Sequence, residues 1–366
     1  MLLDSLASIL VGYSAAVRPG EVVSLTGPSS AEPLLLALYR EVLHAGGHPL
    51  LLLRPEACDD LLQRAGNPAQ LAFVDPLQAR EVEVADVAIH VLPSSNPEES
   101  SAPDPARAAL FQRARRPLFE RFLARAAERS LRWLATLSPG HEAARAAGLT
   151  LAQFETLFAR ATFLDQPDPR AAWRKQGELQ QRLIERLQQC RELRLVEPSG
   201  TDLRLGIAGR VWSSGDGHEN FPDGEVFVAP LEDATEGTVC FAVPSVIGGQ
   251  LVEQARLVFR SGRVVEASAA RGESQLLAML DQDAGARVLG EAALGCNYAI
   301  DRLTGHPLLD EKVGGTFHLG LGASLPGGGG HNQSTLHWDL IGDLRRGGRV
   351  EADGQVMAEN GHFIAR

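Results

Sequence analysis

Toward the end of the chain the sequence reads His337-Trp338-Asp339, preceded by His318 in the glycine-rich run His318-Leu319-Gly320-Leu321-Gly322. On a strand, alternate residues share a face, so His337 and Asp339 project together while Trp338 turns away. Such a pair offers nitrogen and oxygen to one divalent ion, a donor set that suits zinc, cobalt or manganese. The same pair also describes a core histidine satisfied by a neighbouring carboxylate. Acidic residues set against glycine at segment ends weigh toward the metal: Asp223-Gly224-Glu225, Gly290-Glu291 and Asp310-Glu311. Each alone reads as a solvated turn. Together with two histidine positions they suit a dinuclear centre, in which bridging carboxylates hold two ions ~3.5–4 Å apart.

The elements that must position these residues fall into two textures. Up to about residue 192, strands alternate with helices. Asp4 is placed to cap a first helix, and Val22 to Thr26 reads as a buried strand. A helix from Glu32 to His44 stops at Gly46-Gly47, the usual place for a left-handed C-cap. Pro49 to Leu53, Val87 to Leu92 and Leu131 to Thr136 supply further strands of one sheet. Alternation of this kind implies a largely parallel sheet. The loop Gly27-Pro28-Ser29-Ser30-Ala31 lacks both GxGxxG and GxxxxGK[ST] and reads as a tight strand-to-helix turn. Residues 104 to 193 are mostly helical. Thr150 and Gln153 form a capping box, Asp168-Pro169 starts a helix, and Leu179, Leu183, Ile184 and Leu187 make an apolar stripe. Arg113, Arg115, Arg116, Arg121, Arg125 and Arg129 read as a solvated face. From Leu193 onward come hairpins (Leu193 to Ile207, Arg256 to Ala269), one helix over Glu273 to Leu280, and the strand-like run Thr316 to Leu321. The expected fold is an α/β N-terminal domain over 1–192 with a largely parallel sheet, followed by a β-rich α+β domain over 193–366 that carries the chemistry.

Composition narrows the function. The chain has 366 residues, 46 Asp+Glu against 35 Lys+Arg, and a formal net charge of −11, which argues against a nucleic-acid binder. Only Lys175 and Lys312 are lysines. No apolar stretch approaches the length of a membrane span, and the Met1-Leu2-Leu3-Asp4 start lacks a signal peptide's basic region. The cysteines Cys58, Cys190, Cys240 and Cys296 form no CxxC and read as reduced thiols in a cytoplasmic protein.

Several motifs in order resemble the aminopeptidase T/aminopeptidase S family of dinuclear metallo-aminopeptidases. They are Gly200-Thr201-Asp202-Leu203, Gly209-Arg210, Asn220 to Phe227, Leu289-Gly290-Glu291, Asp310 to His318, and Asn332-Gln333-Ser334 through Asp339, with weaker matches at Ala45 to Pro49 and Asn96-Pro97. The resemblance implies a homodimeric exopeptidase that removes N-terminal residues from peptides with two divalent ions (zinc, cobalt, manganese or magnesium). It places metal ligands at Glu225, Glu291, His318, His337 and Asp339. Glu311 matches an acidic position used as ligand or base. The mechanism expected of such a site is attack by a hydroxide held between the ions, with Glu225 or Glu311 shuttling the proton to the leaving amine. Ser324-Leu325-Pro326 departs from the family, whose members carry a tyrosine before that proline. Losing one oxyanion donor costs ~10²–10³ in turnover, so a metal-retaining homologue with weak or lost turnover is the alternative. Tyr298 is the candidate substitute, with packing as its plainer role, and Cys296, where relatives have threonine, reads as packing.

Overall fold

A computed structural model of the chain describes residues 2–93, 104–324 and 328–364. Asn96-Pro97, Leu325, Pro326 and the first glycine of the Gly327 to Gly330 run lie outside the described residues. The chain forms two compact units, Met1–Arg170 with Gly217–Pro222, and Ala171–Asp216 with Asp223–Arg366. No helix among the described residues is long and apolar enough to cross a membrane.

The first unit is α/β. Its five strands run His48–Leu53, Val22–Gly27, Val87–Leu92, Arg132–Leu137 and Asn220–Phe221 across the sheet, every pairing parallel. Val23, Leu25, Val87, Ile89 and Leu134 are buried, as the apolar runs of a parallel sheet require. The helix Glu32–His44 turns Leu34, Leu35, Leu38 and Val42 inward, and Gly46 follows it with φ of +80°, the left-handed turn its sequence predicts. The Thr150–Gln153 capping box also forms.

Three local expectations are corrected. The first helix is Leu2–Ile9, so Asp4 lies in its first turn rather than at its cap, where it favours the helix dipole and pairs with Arg40. Arg125 is buried, not solvated, because its guanidinium donates to the carbonyls of Val82, Ala85 and Ser130. Leu179 is 49% exposed, while Leu183, Ile184 and Leu187 are buried. At its level of the helix Pro169–Leu187, Gln176 and Gln180 take the inward face.

The second unit is built from antiparallel sheets. Eight strands run in the order Arg263–Ser268, Ala255–Arg260, Thr235–Phe241, Thr201–Gly206, Glu192–Glu197, Arg349–Ala352, Gln355–Glu359 and His362–Phe363. Five run His337–Asp343, Thr316–Gly322, Leu289–Gly295, Glu225–Val228 and Ser213–Gly215. Leu195, Leu203, Val239 and Phe241 from the first sheet share one core with Val226, Leu294, Phe317, Leu319 and Leu340 from the second. Phe317 lies across the strand pair from Gly342, whose missing side chain makes room for the ring. A Cβ on Gly342 would fall inside van der Waals contact with that ring. Gly342→Ala is therefore expected to cost roughly 1–3 kcal/mol of stability. Denaturant unfolding of the metal-free protein checks this, and an unchanged midpoint would show that the ring moves aside freely.

Candidate metal centre

Strand alternation gives the five-stranded sheet two different faces. Val226, Ala292, Leu319, Trp338 and Leu340 enter the shared core, so their neighbours Glu225, Glu291, His318, His337 and Asp339 point the other way. Trp338 donates from Nε1 to Ser245 Oγ on its own side, 2.8 Å away. Gly320 sits opposite both Glu291 and Asp339. A Cβ there would lie 2.8 Å from Asp339 Oδ1 and 3.0 Å from Glu291 Cβ, so glycine leaves the space in which the carboxylates converge. The strand register also shifts between Leu289 and Glu291, an irregularity of the kind that re-aims a side chain next to a site. The backbone under Glu225 is held by the buried Gln180, whose amide donates to the carbonyls of Glu225 and Gly215.

Glu291 is the centre of the arrangement. Its Oε1 lies 3.7 Å from His318 Nε2 and its Oε2 3.4 Å from His337 Nε2. Glu225 Oε2 stands 3.5 Å from His318 Nε2, and Asp339 Oδ2 3.2 Å from His337 Nε2. Two ligand-like triads result, Glu225-Glu291-His318 and Glu291-His337-Asp339, with Glu291 common to both. His337 Nδ1 lies 2.9 Å from the Ala323 carbonyl, which only a protonated nitrogen satisfies, so Nε2 is the atom turned to the carboxylates. Burial opposes charge on Glu291, yet its hydrogen bonds with the two histidines outweigh it and hold the carboxyl below its ordinary range. Burial likewise opposes protonated rings, but Glu225 beside His318 and Asp339 beside His337 push these up to about 9 and about 11. The cluster draws positive charge in.

Glu311 lies outside both triads, with Oε2 3.2 Å from Lys312 Nζ, and burial raises its carboxyl to about 7. The Lys312 ammonium is buried and also meets Glu225 Oε1 at 2.5 Å and Asp223 Oδ1 at 4.0 Å. Asp223, whose burial pushes its carboxyl well up, is a carboxylate of the site to which the sequence assigned no ligand role. Its signal was present: it shares the Asp223-Gly224-Glu225 motif, on the same strand entry as Glu225. Asp310 does not join the cluster. Its carboxylate accepts from Thr304 N, Thr304 Oγ1 and Gly305 N and closes a turn. Tyr298 donates its hydroxyl to the Gly361 carbonyl and stacks on His362. The Cys296 thiol donates to Leu294 O and is pushed up by burial, so it stays protonated. Arg210, of the Gly209-Arg210 motif, donates to the Gly329 carbonyl and to Glu232, which also accepts from His331 N.

These residues fit a divalent metal. Glu225 Oε2 and Asp339 Oδ1 are buried without hydrogen-bond partners, each an atom that costs ~1–3 kcal/mol to leave unsatisfied. Carboxylate oxygens with imidazole nitrogens form a donor set that borderline divalent ions accept.

The model of the thermophilic metalloprotease (M29) family matches residues 1–363. Aminopeptidase 2 of Geobacillus stearothermophilus is 28% identical over 352 residues, covering 88% of this chain and 84% of its own. The structure of wild-type AmpT from Thermus thermophilus superposes with a TM-score of 0.85 at 25% identity, covering 100% of this chain and 99% of that one. A 2,5-dihydroxypyridine dioxygenase from Pseudomonas putida KT2440 has a TM-score of 0.56 at 14% identity, covering 100% and 97%, a likeness of fold alone. Since the family model takes in both units and every residue of the cluster, the chain belongs to the thermophilic metalloprotease (M29) family.

Proposed function

We propose that this protein is an aminopeptidase that hydrolyses the N-terminal bond of peptides with a pair of divalent ions, zinc, cobalt, manganese or magnesium. The observation that carries the reading is Glu291, which presents one carboxylate oxygen toward each of two histidines. Glu225, Glu291 and His318 would hold one ion, and Glu291, His337 and Asp339 the other. Bound there, the ions supply a hydroxide near neutral pH, a Lewis acid for the scissile carbonyl and an anchor for the substrate's free α-amine.

Charge supports two ions rather than one. Glu225, Glu291, Glu311 and Asp339 carry four negative charges when ionised, and Lys312 offsets one of them. The three negative charges left over are more than one dication offsets, which leaves room for a second ion, with Asp223 kept protonated by burial. Glu311, outside both triads and beside them, is the carboxylate left to take the proton from the attacking water and pass it to the leaving amine. The reading assigns catalysis to residues 193–366 and carries with it a cytoplasmic homodimer acting on peptides with a free N-terminus. The aminopeptidase names of the relatives support the substrate class.

A second reading keeps the ions with little turnover. It is favoured by Leu325, which stands where the family carries tyrosine, and by Tyr298, whose hydroxyl is committed to Gly361 and so offers no replacement donor.

Metal-loaded protein is expected to contain about two ions per chain and to release the chromogenic amine from an aminoacyl anilide but not from its N-acetylated form. Absence of metal after reconstitution would sink both readings, and full occupancy with no hydrolysis across a peptide panel leaves only the second. Glu291→Gln removes the shared ligand, so elemental analysis should show both ions weakened and activity down by at least ~10²-fold. Loss of a single ion would mean that Glu291 serves one triad only. Leu325→Tyr should raise kcat by roughly 10-fold or more if an oxyanion donor is missing, and unchanged kcat would show that another group fills the role.

A further inference from the structure

Lys312 has carboxylates on every side that concerns the site. Its ammonium is 2% exposed, with Glu225 Oε1 at 2.5 Å, Glu311 Oε2 at 3.2 Å and Asp223 Oδ1 at 4.0 Å. Because Oε1 accepts from Lys312, Glu225 turns a single oxygen, Oε2, toward His318, and that oxygen has no hydrogen-bond partner. A glutamate free at both oxygens can grip a divalent ion with the two of them, while a glutamate held in this way offers one. The difference matters because catalytic metal sites, unlike structural ones, keep a coordination position open.

We propose that Lys312 is a positioning residue that keeps Glu225 a one-oxygen ligand, leaving a coordination position open to substrate at the expense of ion affinity. The proposal rests on the two-ion reading above. The lysine acts in two ways on the same ion. It occupies Oε1, and its positive charge opposes a dication held by the neighbouring carboxylates. The sequence places it between Glu311 and the histidine strand, so the residue that restrains the ligand lies next to the carboxylate that carries the proton.

Lys312→Met removes the charge and frees Oε1 without shortening the side chain by much. In competition against a chelator the variant is expected to hold cobalt(II) at least ~10-fold more tightly, while kcat falls at least ~10-fold. The visible cobalt absorption should weaken as the coordination number rises. Simple structural damage would lower affinity and turnover together, so the opposite movement is the signature. Lys312→Met/Asp223→Asn replaces the buried acid beside the lysine along with the cation and is read in the same way if the single variant does not fold. Parallel loss of affinity and turnover, no change in either, or failure of both variants to fold in the presence of cobalt overturns the proposal. Wild-type protein that takes up fewer than two ions would instead overturn the two-ion reading, which makes the two failures distinguishable.

Discussion

Carboxylates buried together repel one another, and they persist only where cations hold them. That constraint organises the second unit. Glu225, Glu291 and Asp223 are almost entirely buried, with Asp339 and Glu311 beside them, yet Lys312 is the one permanent cation in their midst among the described residues. The two histidines make up the balance with protons, which is why their rings hold charge so firmly against burial. Divalent ions can take over that role, displacing protons from nitrogens that must be neutral to ligate.

The scaffold answers the constraint with stiffness. One face of the five-stranded sheet is spent on the core, so each ligand has a buried apolar neighbour along its strand that fixes its direction. Gly320 supplies the space, the shifted register at Gly290 aims Glu291, and Gln180 ties down the backbone of Glu225. None of this dictates a reaction. A dioxygenase shares the fold, so chemistry is decided by which side chains stand on the face rather than by the sheet that carries them.

Much of this was legible in the sequence, for reasons that vary by residue. His337 and Asp339 were visible because a period of two needs no knowledge of the fold, and the helix Glu273–Leu280 falls at the bounds expected of it. Asp310 and Glu311 look alike in sequence, yet one closes a turn and the other enters the cluster, because a carboxylate's role is set by neighbours that only folding supplies. Arg125 and Leu179 misled for the same reason: composition says what a side chain prefers, and packing decides what it gets. The strand Asn220–Phe221 is too short for any periodicity to announce it.

That short strand has a consequence for how the protein is made. It pairs with Arg132–Leu137 at the end of the parallel sheet, and Thr136 Oγ1 donates to the Phe221 carbonyl at 2.7 Å. The ribosome therefore finishes residues 1–170 with that sheet still one strand short, and the missing piece emerges only after some of the second unit's chain has been synthesised. Until then the strand Arg132–Leu137 presents unpaired backbone to whatever is nearby, the condition in which nascent sheets aggregate. A gene fragment cut at the apparent boundary inherits that open edge permanently.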